Sequence, residues 1–108
     1  MADYFFTPKL FENELNVDLI YRIGPNLTCE IIDIVSNNPY IGNGSIVYKE
    51  FEIDMKSKYN VKNIYAFTRY SNIKAINWYI KMGFLSTTVP DFYFDEPGYR
   101  AIILTKSI

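Results

Sequence analysis

Apolar residues recur at alternate positions through Val17–Ile23, the period of a strand with one buried face. Gly24-Pro25-Asn26 then signals a turn, and the Ile-rich stretch Leu27–Val35 predicts a second strand, so the two pair as an antiparallel hairpin. Ser36–Gly44 reads as a turn-rich loop. Beyond it the period lengthens: Val47, Phe51 and Met55 recur every four residues, and Glu52 stands four before Lys56, predicting a helix over Ser45–Lys58. Asn63–Thr68 returns to alternation, with Ile64, Ala66 and Thr68 opposite Tyr65 and Phe67. A second helix is predicted over Ser71–Met82, with Ser71 as N-cap and Gly83 as its stop. Phe84–Thr88 and Tyr99–Lys106 read as strands joined by a loop containing Pro90 and Pro97. At the other end, Tyr4–Phe6 reads as a short edge strand and Pro8 breaks any long helix. The order β-β-loop-α-β-α-β-β is that of an α/β fold, a mixed central sheet carrying two helices.

Composition narrows the chemistry. A chain of 108 residues supports one core, so residues 1–108 are expected to form a single domain. The 49% apolar and 21% charged content is that of a globular protein, while 18% aromatic residues exceed the ordinary share. A net charge of −1 offers no footprint for nucleic acid. No apolar run reaches the roughly 20 residues that span a bilayer, and the N-terminus lacks a signal-peptide core, so neither a membrane nor secretion is expected. Cys29 is the single cysteine; it reads as a reduced, buried thiol of a cytoplasmic protein. There is no His, so acid–base chemistry falls to carboxylates, Tyr, Lys or water, and neither a His triad nor a metal site is expected.

The loop between the second strand and the first helix carries Pro39-Tyr40-Ile41-Gly42-Asn43-Gly44-Ser45. Glycine there allows positive φ and close approach to the backbone, and the first amides of the following helix lack internal partners. Such a junction suits an anion such as pyrophosphate without any Lys or Arg. The same residues also fit a type I′ hairpin turn, with Asn43-Gly44 at its centre.

Residues 68–84, Thr-Arg-Tyr-Ser-Asn-Ile-Lys-Ala-Ile-Asn-Trp-Tyr-Ile-Lys-Met-Gly-Phe, add a second motif. Here the chain resembles the GNAT acetyltransferase superfamily, which carries Asn-x-x-Ala-x-x-(aromatic or aliphatic)-Tyr-x-x-x-Gly-Phe. Asn72, Ala75, Trp78, Tyr79, Gly83 and Phe84 match each position. Gly42-Asn43-Gly44 falls where the family's Gln/Arg-x-x-Gly-x-Gly/Ala loop stands, one helix and one strand upstream, although Pro39 replaces the Gln/Arg. The resemblance covers residues 27–106, the acetyl-CoA-binding core, and leaves 1–26 as a reduced N-terminal part.

Asn72, Ala75 and Tyr79 stand at i, i+3 and i+7, one stripe about 10 Å long on a helix. An amide, a small residue and a phenol along that stripe suit an extended pantetheine arm. Ile73, Ile76 and Ile80 form an adjacent stripe expected to face the core. Asn72 as a mere cap and Tyr79 as core is the competing reading.

The resemblance implies acetyl transfer from acetyl-CoA to an amine by direct attack. It makes Tyr79 the candidate acid for the departing thiol and an N–H of Ile34 or Val35 the candidate oxyanion donor. It implies that cofactor contacts come from Ile34, Val35, Pro39–Ser45, Asn72, Ala75 and Tyr79. Glu30 is the favoured base, directly or through water. Glu30 and Asp33 lie three apart on one strand and so are expected on opposite faces. Either could equally be a surface charge, and Cys29 needs no role as nucleophile. GNAT domains usually have a strand and two helices ahead of the hairpin, so the acceptor side is expected to be open, lost, or completed by a second copy in a homodimer; the aromatic excess could serve that interface or a plain core. Val89–Asp95 and Tyr99–Leu104 are similar to the last hairpin of protein N-terminal acetyltransferases, making a peptide N-terminus the leading acceptor ahead of a small amine. A non-catalytic acetyl-CoA-binding or interaction module, and a structural domain with no ligand, are the alternatives.

Overall fold

The computed structural model describes residues 7–36, 42–88 and 101–108. Among these residues, six strands and two helices follow in the order β1 (Lys9–Leu10), β2 (Val17–Ile23), β3 (Thr28–Ser36), α1 (Asn43–Tyr59), β4 (Asn63–Arg69), α2 (Ile73–Lys81), β5 (Leu85–Thr88) and β6 (Ala101–Ser107). The α/β class and the order of the elements are as expected, with one short strand added at Lys9–Leu10. The expected strand at Tyr4–Phe6 lies outside the described residues. The chain divides into two compact units, Met1–Ile64 with Ser107–Ile108, and Tyr65–Lys106.

In the first unit the strands run β1-β2-β3, each antiparallel to the next. The β2–β3 turn closes through hydrogen bonds from the Gly24 amide to the Thr28 carbonyl at 2.9 Å and from the Thr28 amide to the Pro25 carbonyl at 3.3 Å. Asn26 and Leu27 are both left-handed, at φ 57° and 59°, so β3 starts at Thr28 and Leu27 belongs to the turn.

One face of this sheet carries Val17, Leu19, Tyr21, Ile23, Cys29 and Ile31, all buried. Val47, Tyr48, Phe51 and Met55 of α1 are buried too. The Phe51 ring joins helix to sheet, 5.1 Å from the Tyr21 ring and 5.4 Å from that of Phe11. On α1, Lys58 and Asp54 form an ion pair at 3.1 Å, at the same i,i+4 spacing as Glu52 and Lys56. Asn60, left-handed at φ 54°, ends the helix.

β3 holds one residue more than its partner. Tyr21 pairs with Ile31 but Ile20 pairs with Asp33, which leaves Ile32 as a bulge. The extra residue reverses the parity of the strand beyond it. Glu30 is opposite Arg22 and Asp33 is opposite Ile20, two positions apart on β2. The two carboxylates therefore share a face, contrary to the expectation from spacing alone.

In the second unit the strands run β4-β6-β5, with β5 antiparallel to β6. The helix between them ends in a Schellman motif: the Phe84 amide donates to the Tyr79 carbonyl and the Gly83 amide to the Ile80 carbonyl, both at 3.0 Å. Gly83 takes the φ of 100° that this motif demands. Lys106 Nζ donates to the Met82 carbonyl at 2.8 Å, placing a cation at the negative end of the helix. No helix of the described residues is long and apolar enough to cross a membrane.

Candidate functional site

The start of α1 discriminates between the two readings of the glycine loop. Asn43 and Gly44 lie in the first helical turn, so they form no hairpin. Gly42 is the N-cap in the left-handed conformation, φ 75° and ψ 14°, and its carbonyl accepts the first helical bond from Ile46 at 3.3 Å. Asn43 Nδ2 donates to the Leu15 carbonyl at 3.4 Å, tying this turn to the segment before β2. Gly42 has no side chain with which to cap the helix, and the first turn holds no acidic residue. A Cβ built on Gly44 would meet nothing within 4 Å. Amides carrying the positive end of a 17-residue helix, with open space above a glycine, fit a phosphate group. Pro39, Tyr40 and Ile41 lie outside the described residues, while Gly42, Asn43, Gly44 and Ser45 open the helix.

Ile34 and Val35 end β3, paired with Leu19 and Asp18, the former half-buried and the latter exposed. Glu30 is 8% exposed and ion-paired: Arg22 Nη2 and Nε each lie 2.7 Å from its Oε1. It is thus not a plain surface charge, the alternative that its sequence position allowed. Arg22 as its partner was missed, although the hairpin register, once counted back from the Pro25 turn, sets the two side by side. Asp33 is exposed.

In the second unit, Asn72 rather than Ser71 is the N-cap of α2, its Oδ1 accepting from the Ala75 amide at 3.3 Å. The stripe then grades inward: Asn72 is exposed, Ala75 half-buried and Tyr79 only 6% exposed. The Tyr79 ring makes edge contacts with Trp78 at 5.0 Å and Phe84 at 5.1 Å. The expected division of this helix into an isoleucine core face and a free stripe is overturned. Ile73 and Ile80 are 59% and 48% exposed, and only Ile76 of the three is buried. The Schellman turn is the cause, because it folds Phe84 back onto Tyr79 and draws the buried face to that side.

Cys29 is fully buried, and burial, followed by the neighbouring Glu30, pushes its thiol up to about 12. It is a core residue with no thiolate to offer. Burial also raises the Tyr21 hydroxyl to about 12, with contributions from Tyr59, Cys29 and Asp54. Both groups favour the protonated form in the folded state, so their stabilisation is complete below the unfolded values of 9.0 and 10.0 and is lost as pH rises toward 12. The native protein should resist thiol reagents at pH 8, and its melting temperature should fall progressively above pH 9. Rapid thiol labelling without unfolding would contradict this burial.

No protein-family model matches this chain, and no curated protein matches it. Solved structures do. The ribosomal-protein-S18-alanine N-acetyltransferase of Escherichia coli superposes with a TM-score of 0.68 at 22% identity, over 86% of this chain and 61% of that one. A Bacillus subtilis acetyltransferase in complex with CoA gives 0.74 at 20% identity, over 94% and 74%. A GNAT family acetyltransferase from Elizabethkingia anophelis with acetyl-CoA bound gives 0.73 at 23%, over 91% and 72%. The chain spans about six tenths of the length of the E. coli protein and of two other matched acetyltransferases. With these superpositions added to the helix-opening glycine turn and the Asn–Ala–Tyr stripe, the chain has the fold of the GNAT acetyltransferases.

Proposed function

We propose that this chain is a cytoplasmic, acetyl-CoA-dependent N-acetyltransferase that moves acetyl to a primary amine by direct attack. The observation that carries the reading is the acid-free start of α1 behind a left-handed Gly42 that brings no capping side chain. In it, the amides of Gly42–Ser45, with Pro39–Ile41 ahead of them, hold the pyrophosphate. Asn72 and Ala75 receive the pantetheine arm, an N–H of Ile34 or Val35 donates to the oxygen that gains charge, and Tyr79 returns a proton to the departing thiol. Glu30 takes the ammonium proton, directly or through water. A peptide N-terminus is the favoured acceptor, and the likeness to a protein that acts on an alanine of ribosomal protein S18 supports it. A second copy is the partner proposed for the acceptor side.

Calorimetry with CoA tests the reading: micromolar binding is expected, and millimolar or absent binding overturns it. Gly42→Val should weaken that binding about tenfold, since a side chain in the left-handed region costs roughly 1–2 kcal/mol. The cost is conformational, because a Cβ there would meet nothing within 4 Å. Unchanged affinity would remove the Gly42 turn from the site. A non-catalytic acetyl-CoA-binding module is the second reading, favoured by the engagement of Glu30 with Arg22. Thiol release in the presence of a peptide panel separates the two.

A further inference from the structure

Within the first unit, the face of the sheet that does not carry the Tyr21–Phe51 contact is partly apolar and partly acidic. Cross-strand pairing sets Leu10 beside Ile20, and Ile20 beside Asp33 next to the bulged Ile32. Leu10 and Ile32 are exposed and Ile20 half-buried. This apolar row crosses three strands, about 10 Å at the usual strand spacing. Asp18, two positions from Ile20 on β2, lies on the same face. It stands about 8 Å from Asp33 by the same geometry. Both carboxylates are exposed and, among the described residues, neither is ion-paired. Arg22 on this face is neutralised by Glu30, so the face carries two uncompensated negative charges.

The second unit presents the complementary pattern on α2. Ile73 and Ile80 are exposed seven residues apart, about 10 Å along the axis. Lys74 and Lys81 follow each of them at the same spacing, exposed and, among the described residues, without an ion pair. We infer that two copies of this chain associate by seating the Ile73/Ile80 face of α2 on the Leu10/Ile20/Ile32 row of the other copy, Lys74 and Lys81 meeting Asp18 and Asp33. Apolar spacing and charge sign both match. If each copy offers both surfaces to the other, the contact closes as a two-fold dimer; used one way, it adds copies in a chain. The inference rests on the self-association part of the functional reading, and not on acetyl transfer.

Sedimentation velocity on the full chain tests it. The wild type should sediment above monomer mass in the upper micromolar range, and less so as salt is raised. Lys74→Glu with Lys81→Glu should weaken association at least tenfold, and so should Asp18→Lys with Asp33→Lys. An equimolar mixture of the two double variants should associate again, because each then meets opposite charge on both surfaces. Recovery on mixing cannot come from variants that merely misfold, and far-ultraviolet circular dichroism checks each separately. A wild type that stays monomeric into the millimolar range overturns the inference. So does a wild-type-like assembly in either double variant, or a mixture that stays monomeric. CoA calorimetry on the same samples keeps the outcome distinct from that of the acetyl-transfer reading.

Discussion

Tyr79→Phe is expected to slow CoA thiol release by about 10²-fold or more, the usual worth of a positioned acid, while CoA binds within a few-fold of wild type. The separation follows from where the side chain sits. Its ring is buried between Trp78 and Phe84, and that packing is unchanged when only the hydroxyl oxygen is lost. A departing thiolate with an ordinary pKa near 8.5 can leave without help, though more slowly than when a phenol meets it. Single-turnover release of thiol, read beside calorimetric affinity, makes the comparison. Turnover within twofold of wild type would strip Tyr79 of the acid role. A collapse of binding together with turnover would make it a structural residue of α2.

The largest loss of stability is expected from Phe51→Ala. Phe51 is fully buried, and its ring meets those of Phe11, Tyr21 and Tyr48. Truncation removes the group that joins α1 to the β1–β3 sheet and leaves a cavity among three aromatic rings, a change that costs roughly 3–5 kcal/mol. Against a total of about 5–15 kcal/mol for an ordinary domain, that is a large share, and the melting temperature should drop by more than about 10 °C. Ile53→Ala two positions along the helix is the control, since Ile53 is exposed and should shift stability by no more than about 0.5 kcal/mol. Equal effects from the two substitutions would contradict the packing described for α1.

Much of the fold was legible because its elements are locally consistent. Val17–Ile23 is a strand over the very residues its alternation marks. Val47, Phe51 and Met55 face inward as their spacing requires, and Gly83 ends α2 in the backbone conformation it alone adopts without strain. The two motifs of the candidate site were legible for the same reason, each being a short run on one element. What escaped was decided between elements. The extra residue in β3 has no signature in composition, so Glu30 and Asp33 counted as opposite when they are neighbours in facing. Nothing in Ile73, Ile76 and Ile80 says that a turn three residues beyond will bring Phe84 onto Tyr79. Ser71 and Asn72 are both good caps, and only the hydrogen bond to Ala75 chooses Asn72.

The bulge at Ile32 also bears on how such a hairpin tolerates change. Dropping Ile32 would leave Asp33, Ile34 and Val35 facing as they do, because Ile31 and Asp33 already stand opposite the adjacent Tyr21 and Ile20. Were Ile32 instead taken into regular alternation, Val35 would turn inward and Ile34 out. A lineage could thus shorten this strand by one at Ile32 and keep its two sides apart.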